Sequence, residues 1–106
     1  MSKIDLYTVE CTSDIMYALK KIDNNKKGFL IVLKGDNVVG TLTDGDIRRA
    51  FIAGHTLTDS ISGVYTQNYT VLHNTDGLSK AIDLFKNSAI KFLPVVNATG
   101  KLVNVI

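Results

Sequence analysis

The same succession of residues occurs twice in this chain, and the distance between the copies limits what the chain can fold into. Thr12 and Thr75 stand 63 positions apart, as do Ala18 and Ala81, Phe29 and Phe92, Leu30 and Leu93, and Val32 and Val95. Ile15 against Leu78 and Ile22 against Phe85 extend the match with apolar residues. Chance supplies one or two such coincidences. Five identities within one polarity pattern point to a duplicated βαββα unit.

The first copy predicts a strand near Tyr7–Glu10, a helix over Asp14–Asn24, strands at Phe29–Leu33 and Val38–Leu42, and a helix from Asp44 to about Ala53. In the first helix Ile15, Ala18, Leu19 and Ile22 follow the i, i+3, i+4, i+7 spacing of an amphipathic face, and Thr12 or Ser13 can cap it. Gly35, Asp36 and Asn37 give the two strands a hairpin turn, and their almost wholly apolar content suggests burial on both faces. The second copy predicts a strand near Tyr69–Leu72, a helix over Asp76–Asn87, and strands at Phe92–Val96 and Leu102–Ile106.

The repeats are therefore placed at residues 1–54 and 69–106, with a linker at 55–68. The linker is rich in Gly, Ser, Thr and Asn; it is expected to cross the surface, with a short turn of helix around Asp59–Ser62. After the second turn the offset becomes 64, so Gly40 meets Asn104, and the second repeat ends before its last helix. An apolar run stopping at Ile106 without a turn or cap is expected to mark a cut inside a longer protein.

A chain of 106 residues with 45% apolar content suits one compact module. Its 12 basic and 10 acidic residues are interspersed, which gives no nucleic-acid tract. The single Cys11 rules out an internal disulfide and suits a reducing cytoplasm, where it reads as a small buried apolar residue. The N-terminal stretch, with Lys3 and Asp5, lacks a signal-peptide core, and no window approaches the roughly 20 apolar residues of a membrane span. His55 and His73 have no Ser, Cys or acidic neighbour that suggests a triad, so both read as surface residues.

Chemistry concentrates in the run GTLTDGDIRRA, Gly40–Ala50. It follows an apolar strand and opens a helix, which puts the Thr43 hydroxyl and the Asp46 carboxylate beside exposed backbone N–H groups. Such a junction suits a ribose with phosphates attached. The same four residues also satisfy the pattern of a helix capping box. Gly40 and Gly45 allow either a close approach of ligand to backbone or relief of crowding at a tight junction. One of Arg48 and Arg49 can neutralise a phosphate; a salt bridge to Asp44 or Asp46, or a dimer contact, is the alternative. Asp44 and Asp46 supply two carboxylates but no third ligand, so no intrinsic metal site is expected.

The repeat, the Gly-apolar-Thr-x-x-Asp motif, and the passages KKGFLIVL at Lys26–Leu33 and IKFLPVV at Ile90–Val96 resemble the cystathionine-β-synthase (CBS) domain pair. That resemblance implies an α+β fold of tandem βαββα repeats packed about a pseudo-twofold axis. It implies a cleft for AMP, ADP, ATP or S-adenosylmethionine, and association into homodimers. By the same resemblance Asp46 would accept both ribose hydroxyls and Thr43 would bond to ribose or the α-phosphate. Val9, Phe29, Leu30 and Ile31 would sandwich the adenine, and Gly45 and Arg49 complete the expected nucleotide-binding set, Arg49 one helical turn beyond the phosphate end. Acceptors set for a vicinal diol select a nucleoside over its deoxy analogue. Pro94 fits the family's strand pattern, whereas the first repeat has Ile31 in that place. Tyr65 and Tyr69 either cover the cleft or serve packing.

The stretch TLTDGDIRRAFIAGHTL is similar to CBS pairs of sugar-phosphate nucleotidyltransferases, which precede a catalytic domain; a near variant occurs in pairs that follow the catalytic domain of sugar-phosphate isomerases. The resemblance favours a non-catalytic, cytoplasmic regulatory module of a nucleotidyltransferase, with a C-terminal catalytic domain in the full-length protein. The isomerase setting is the alternative, and a ligand-free dimerisation module or a small metal enzyme using Asp44 and Asp46 are the rivals.

Overall fold

Two parallel strand pairs with the same register form the frame of the protein, seen here in a computed structural model that describes residues 3–87 and 91–106. A 3-10 turn at Lys3–Tyr7 leads into β1 (Thr8–Glu10), α1 (Ile15–Asn25), β2 (Phe29–Lys34), β3 (Asn37–Thr43) and α2 (Asp44–Ile52). After the linker come β4 (Leu72–His73), α3 (Leu78–Asn87), β5 (Pro94–Val96) and β6 (Leu102–Val105). The strands make two three-stranded sheets, ordered β1-β2-β3 and β4-β5-β6. Val9 pairs with Val32 in the first sheet, and Leu72 pairs with Val95 in the second. Both partners shift by the repeat length. So do the helix starts at Ile15 and Leu78, which makes the duplication structural as well as sequential. Among the described residues β6 is the last element.

The chain divides into two units: residues up to Gly35 with Val39–Tyr69, and Asp36–Val38 with Thr70–Ile106. In the first, α1 turns Ile15, Ala18 and Ile22 onto Leu30 and Val32 of β2, and Ile47 and Ala50 of α2 join them. This is the amphipathic face read from the sequence. In the second, Leu72, Ala81, Leu93 and Val95 are buried together, with Leu84 and Phe85 packed against them. Among the described residues, no helix is long and apolar enough to cross a membrane.

Several boundaries differ from expectation. Tyr7 belongs to the 3-10 turn instead of β1, and its ring stacks on Phe29 at 5.6 Å. Asn25 Nδ2 donates to Leu6 O and Phe29 O, which fastens that turn to the start of β2. β4 keeps only Leu72 of the predicted Tyr69–Leu72 and adds His73, and β5 begins at Pro94 instead of Phe92. Backbone pairing nevertheless continues one residue before β5, where Leu93 and Ile106 exchange N–H···O bonds of 3.0 Å and 2.9 Å. Ile90, at the start of the predicted IKFLPVV passage, lies outside the described residues.

The cap of α1 is Asp14, whose Oδ1 accepts from Tyr17 N at 2.8 Å; it is neither Thr12 nor Ser13. The linker decides this. Ile15 N and Met16 N donate to Asp59 O and Leu57 O, while Ile61 N donates to Ser13 O, so the linker backbone fixes where the helix begins.

No helical turn forms at Asp59–Ser62; the linker instead makes turns and two isolated bridges, Asp14 to Ser60 and Thr41 to Thr66. Nor does it merely cross the surface, because Ile61 is wholly buried in the first unit's core. Truncating a buried isoleucine removes apolar contacts and leaves a cavity. Ile61→Ala is therefore expected to lower stability by about 2–5 kcal/mol in chemical denaturation. A loss below about 1 kcal/mol would mean that the linker is not part of the core.

Candidate functional site

The site grows from the junction of β3 and α2. Thr43 ends the strand in an extended conformation and caps the helix: its Oγ1 accepts from Asp46 N at 3.2 Å, and Asp46 Oδ2 accepts from Thr43 N at 3.0 Å. The capping box is complete. That geometry alone does not make a ligand site, because the same backbone-to-carboxylate bond joins Thr56 N to Asp59 Oδ2 and His73 N to Asp76 Oδ2, each at 2.8 Å.

Burial and a donor from the distant linker set Asp46 apart. It is only 9% exposed, whereas the side chains of Asp59 and Asp76 are 47% and 21% exposed. Its Oδ1 accepts from Arg49 Nη2 at 2.9 Å and from Thr66 Oγ1 at 3.1 Å. Burying a carboxylate is costly unless such partners hydrogen-bond it. Arg49 thus makes the ion pair with Asp46 that the sequence left as one of its alternatives.

Both glycines of the motif have identifiable neighbours. A Cβ on Gly40 would stand 2.3 Å from Tyr65 Cδ1 and 2.5 Å from Thr66 O. Tyr65 therefore packs against the strand and the first core. A Cβ on Gly45 would stand 3.2 Å and 3.3 Å from the two terminal nitrogens of Arg49, so the guanidinium lies over the first turn of α2.

Thr66 is the member of the site that sequence reasoning missed. Thr66 N donates to Thr41 O at 2.8 Å and Thr41 N to Thr66 O at 3.0 Å, so a linker residue docks against β3 and carries its hydroxyl to Asp46. A lone threonine in a polar linker gives no sequence signal for this.

The proposed adenine set divides across the sheet. Val9 and Leu30 belong to the first unit's core. Strand alternation turns Phe29 and Ile31 to the opposite face, Phe29 half-buried and Ile31 fully buried. Nearby, Leu19, Ile22, Asp23, Lys26, Gly28 and Asp44 line a cleft of about 480 Å³. Asp44 N donates to Gly28 O at 3.1 Å, which ties the start of α2 to the turn before β2.

His55 and His73 do have acidic neighbours, contrary to the reading from sequence: their Nδ1 atoms lie 3.5 Å from Asp59 Oδ2 and 3.7 Å from Asp76 Oδ2. Both pairs stand at turns. The His73 backbone N–H, with Lys80 beside it, holds the Asp76 carboxyl below its usual range. Cys11 is partly buried against the first core. Among the described residues no three His, Cys, Asp or Glu side chains converge as a metal site would require.

Two like-built α+β units, one with a buried carboxylate at a helix start, define a tandem-repeat α+β module. The chain belongs to the CBS domain family, which matches residues 1–53 and 61–106. Among curated relatives, it is 31% identical over 103 residues to a Haemophilus influenzae protein named "Probable arabinose 5-phosphate isomerase", covering 95% of this chain and 31% of that protein. It is 29% identical over 99 residues to the Escherichia coli K12 arabinose 5-phosphate isomerase GutQ, covering 92% of this chain and 31% of the relative. The chain thus spans about a third of the length of these relatives. Both are named as isomerases, not as the nucleotidyltransferases expected from the motif. Among solved structures, a CBS domain protein of Pyrobaculum aerophilum complexed with AMP aligns with a TM-score of 0.81 at 19% identity, covering 100% of this chain and 86% of that one. CBSX2 in complex with AMP aligns at 0.81 and 22% identity, covering 98% and 82%. At these identities the likeness is one of fold.

Replacing Gly40 tests the seating of Tyr65 and Thr66. Gly40→Ala is expected to cost about 1–3 kcal/mol in chemical denaturation, as overpacking does. A neutral effect would show that the Tyr65–Thr66 segment does not rest on β3.

Proposed function

We propose that this chain is a regulatory CBS pair that binds an adenine nucleotide or S-adenosylmethionine and belongs to a larger sugar-phosphate isomerase. The observation that carries the reading is the Asp46 carboxylate, buried at the N-terminus of α2 and held by Thr43, Arg49 and Thr66. Asp46 would accept from ribose. Thr43 and the backbone N–H of Gly45 would meet the α-phosphate, and Arg49 would answer charge further along the chain of phosphates. The AMP named with two structural neighbours supports the ligand class.

The names of the relatives favour the isomerase setting over the nucleotidyltransferase one. The module itself performs no chemistry in this reading. It associates as a homodimer, and ligand binding favours one arrangement that a catalytic domain elsewhere in the full-length protein senses.

A second reading is a ligand-free dimerisation module, favoured by the completeness of the internal capping box. Thermal unfolding with AMP, ADP, ATP, GTP and S-adenosylmethionine separates the two. An adenine ligand at about 100 times its Kd is expected to stabilise the folded chain by about 2.7 kcal/mol. Asp46→Ala should remove that gain as well as lowering baseline stability. If no ligand moves the midpoint at millimolar concentration, the dimerisation reading stands instead.

A further inference from the structure

We propose that Thr66 limits the site to a single ribose hydroxyl, because its own hydroxyl occupies the position on Asp46 that a second ligand hydroxyl would need. The inference rests on the ribonucleotide reading above. A carboxylate offers about four lone-pair positions. Thr43 N takes one on Oδ2, while Arg49 Nη2 and Thr66 Oγ1 together fill Oδ1. One position on Oδ2 remains. A vicinal diol donates two hydrogen bonds, so its second hydroxyl must compete with a protein donor.

The three donors are not equally replaceable. Thr43 N is fixed in the backbone of the cap. The Arg49 bond is charge-assisted, and its guanidinium is seated over Gly45. Thr66 is a neutral hydroxyl that rotates about one bond, so it is the donor that a ligand hydroxyl displaces. Its backbone is held to Thr41 by two hydrogen bonds and by the fit of Tyr65 against Gly40. The hydroxyl therefore remains beside Asp46 as an internal competitor even when displaced, and the native site distinguishes ribose from deoxyribose only weakly.

The test is isothermal titration of the full 106-residue chain with AMP, 2′-deoxy-AMP and 3′-deoxy-AMP. Thr66→Val deletes the hydroxyl at near-constant volume and frees the second position. It should tighten AMP about five- to tenfold, the effect of one net hydrogen bond, and leave both deoxy analogues within about twofold. Thr66→Ser, which keeps the hydroxyl, should bind all three as the native chain does. Thr66→Ala gives the same comparison if the valine variant fails to fold. A purely structural role would change the unfolding midpoint without changing the ratio of AMP to deoxy-AMP affinity. Equal changes for all three ligands would overturn the proposal. So would loss of AMP binding in Thr66→Val with native binding in Thr66→Ser, because the hydroxyl would then contact ligand. Failure of the native chain and every variant to bind any of the three overturns the AMP-site reading and the proposal with it.

Discussion

A single buried carboxylate joins the parts of the first unit that chemistry requires. Asp46 takes one hydrogen bond from the end of β3, one from the second turn of α2, and one from the linker. Without those donors a charge in this position would carry a desolvation cost of several kcal/mol. The neighbouring residues follow from meeting that need. Thr43 is a cap with an extended backbone, Gly45 makes room for the Arg49 guanidinium, and Gly40 lets the segment carrying Tyr65 and Thr66 reach the strand.

Much of this was legible from residue order. Periodicity located α1, β2, β3 and α2 closely, because each presents several apolar residues at its own spacing to a common core. The repeat placed β4, α3, β5 and β6 by analogy, and the Val9–Val32 and Leu72–Val95 pairings keep its offset. The Thr43–Asp46 junction was legible for the same reason that it was ambiguous: capping a helix and holding an anion use the same donors and acceptors.

What the sequence hid depends on contacts between distant segments. Thr12, Ser13 and Asp14 are all acceptable caps, and the choice falls on Asp14 because Leu57 and Asp59 take the next backbone donors. Ile61 is one apolar residue in a polar stretch, so no period marks it as core. Thr66 resembles its polar neighbours in composition, and only its pairing with Thr41 brings it to Asp46. Each is a tertiary decision among locally equivalent options.

The central claim is that Asp46 serves as both structural cap and ligand acceptor. It is tested most directly by backbone amide NMR of the chain during titration with AMP. The account predicts that the largest shift changes fall on Thr43, Asp44, Gly45 and Asp46, and that Thr66 responds with them although it is remote in sequence. Changes confined to residues away from the start of α2, or none at saturating AMP, would contradict it.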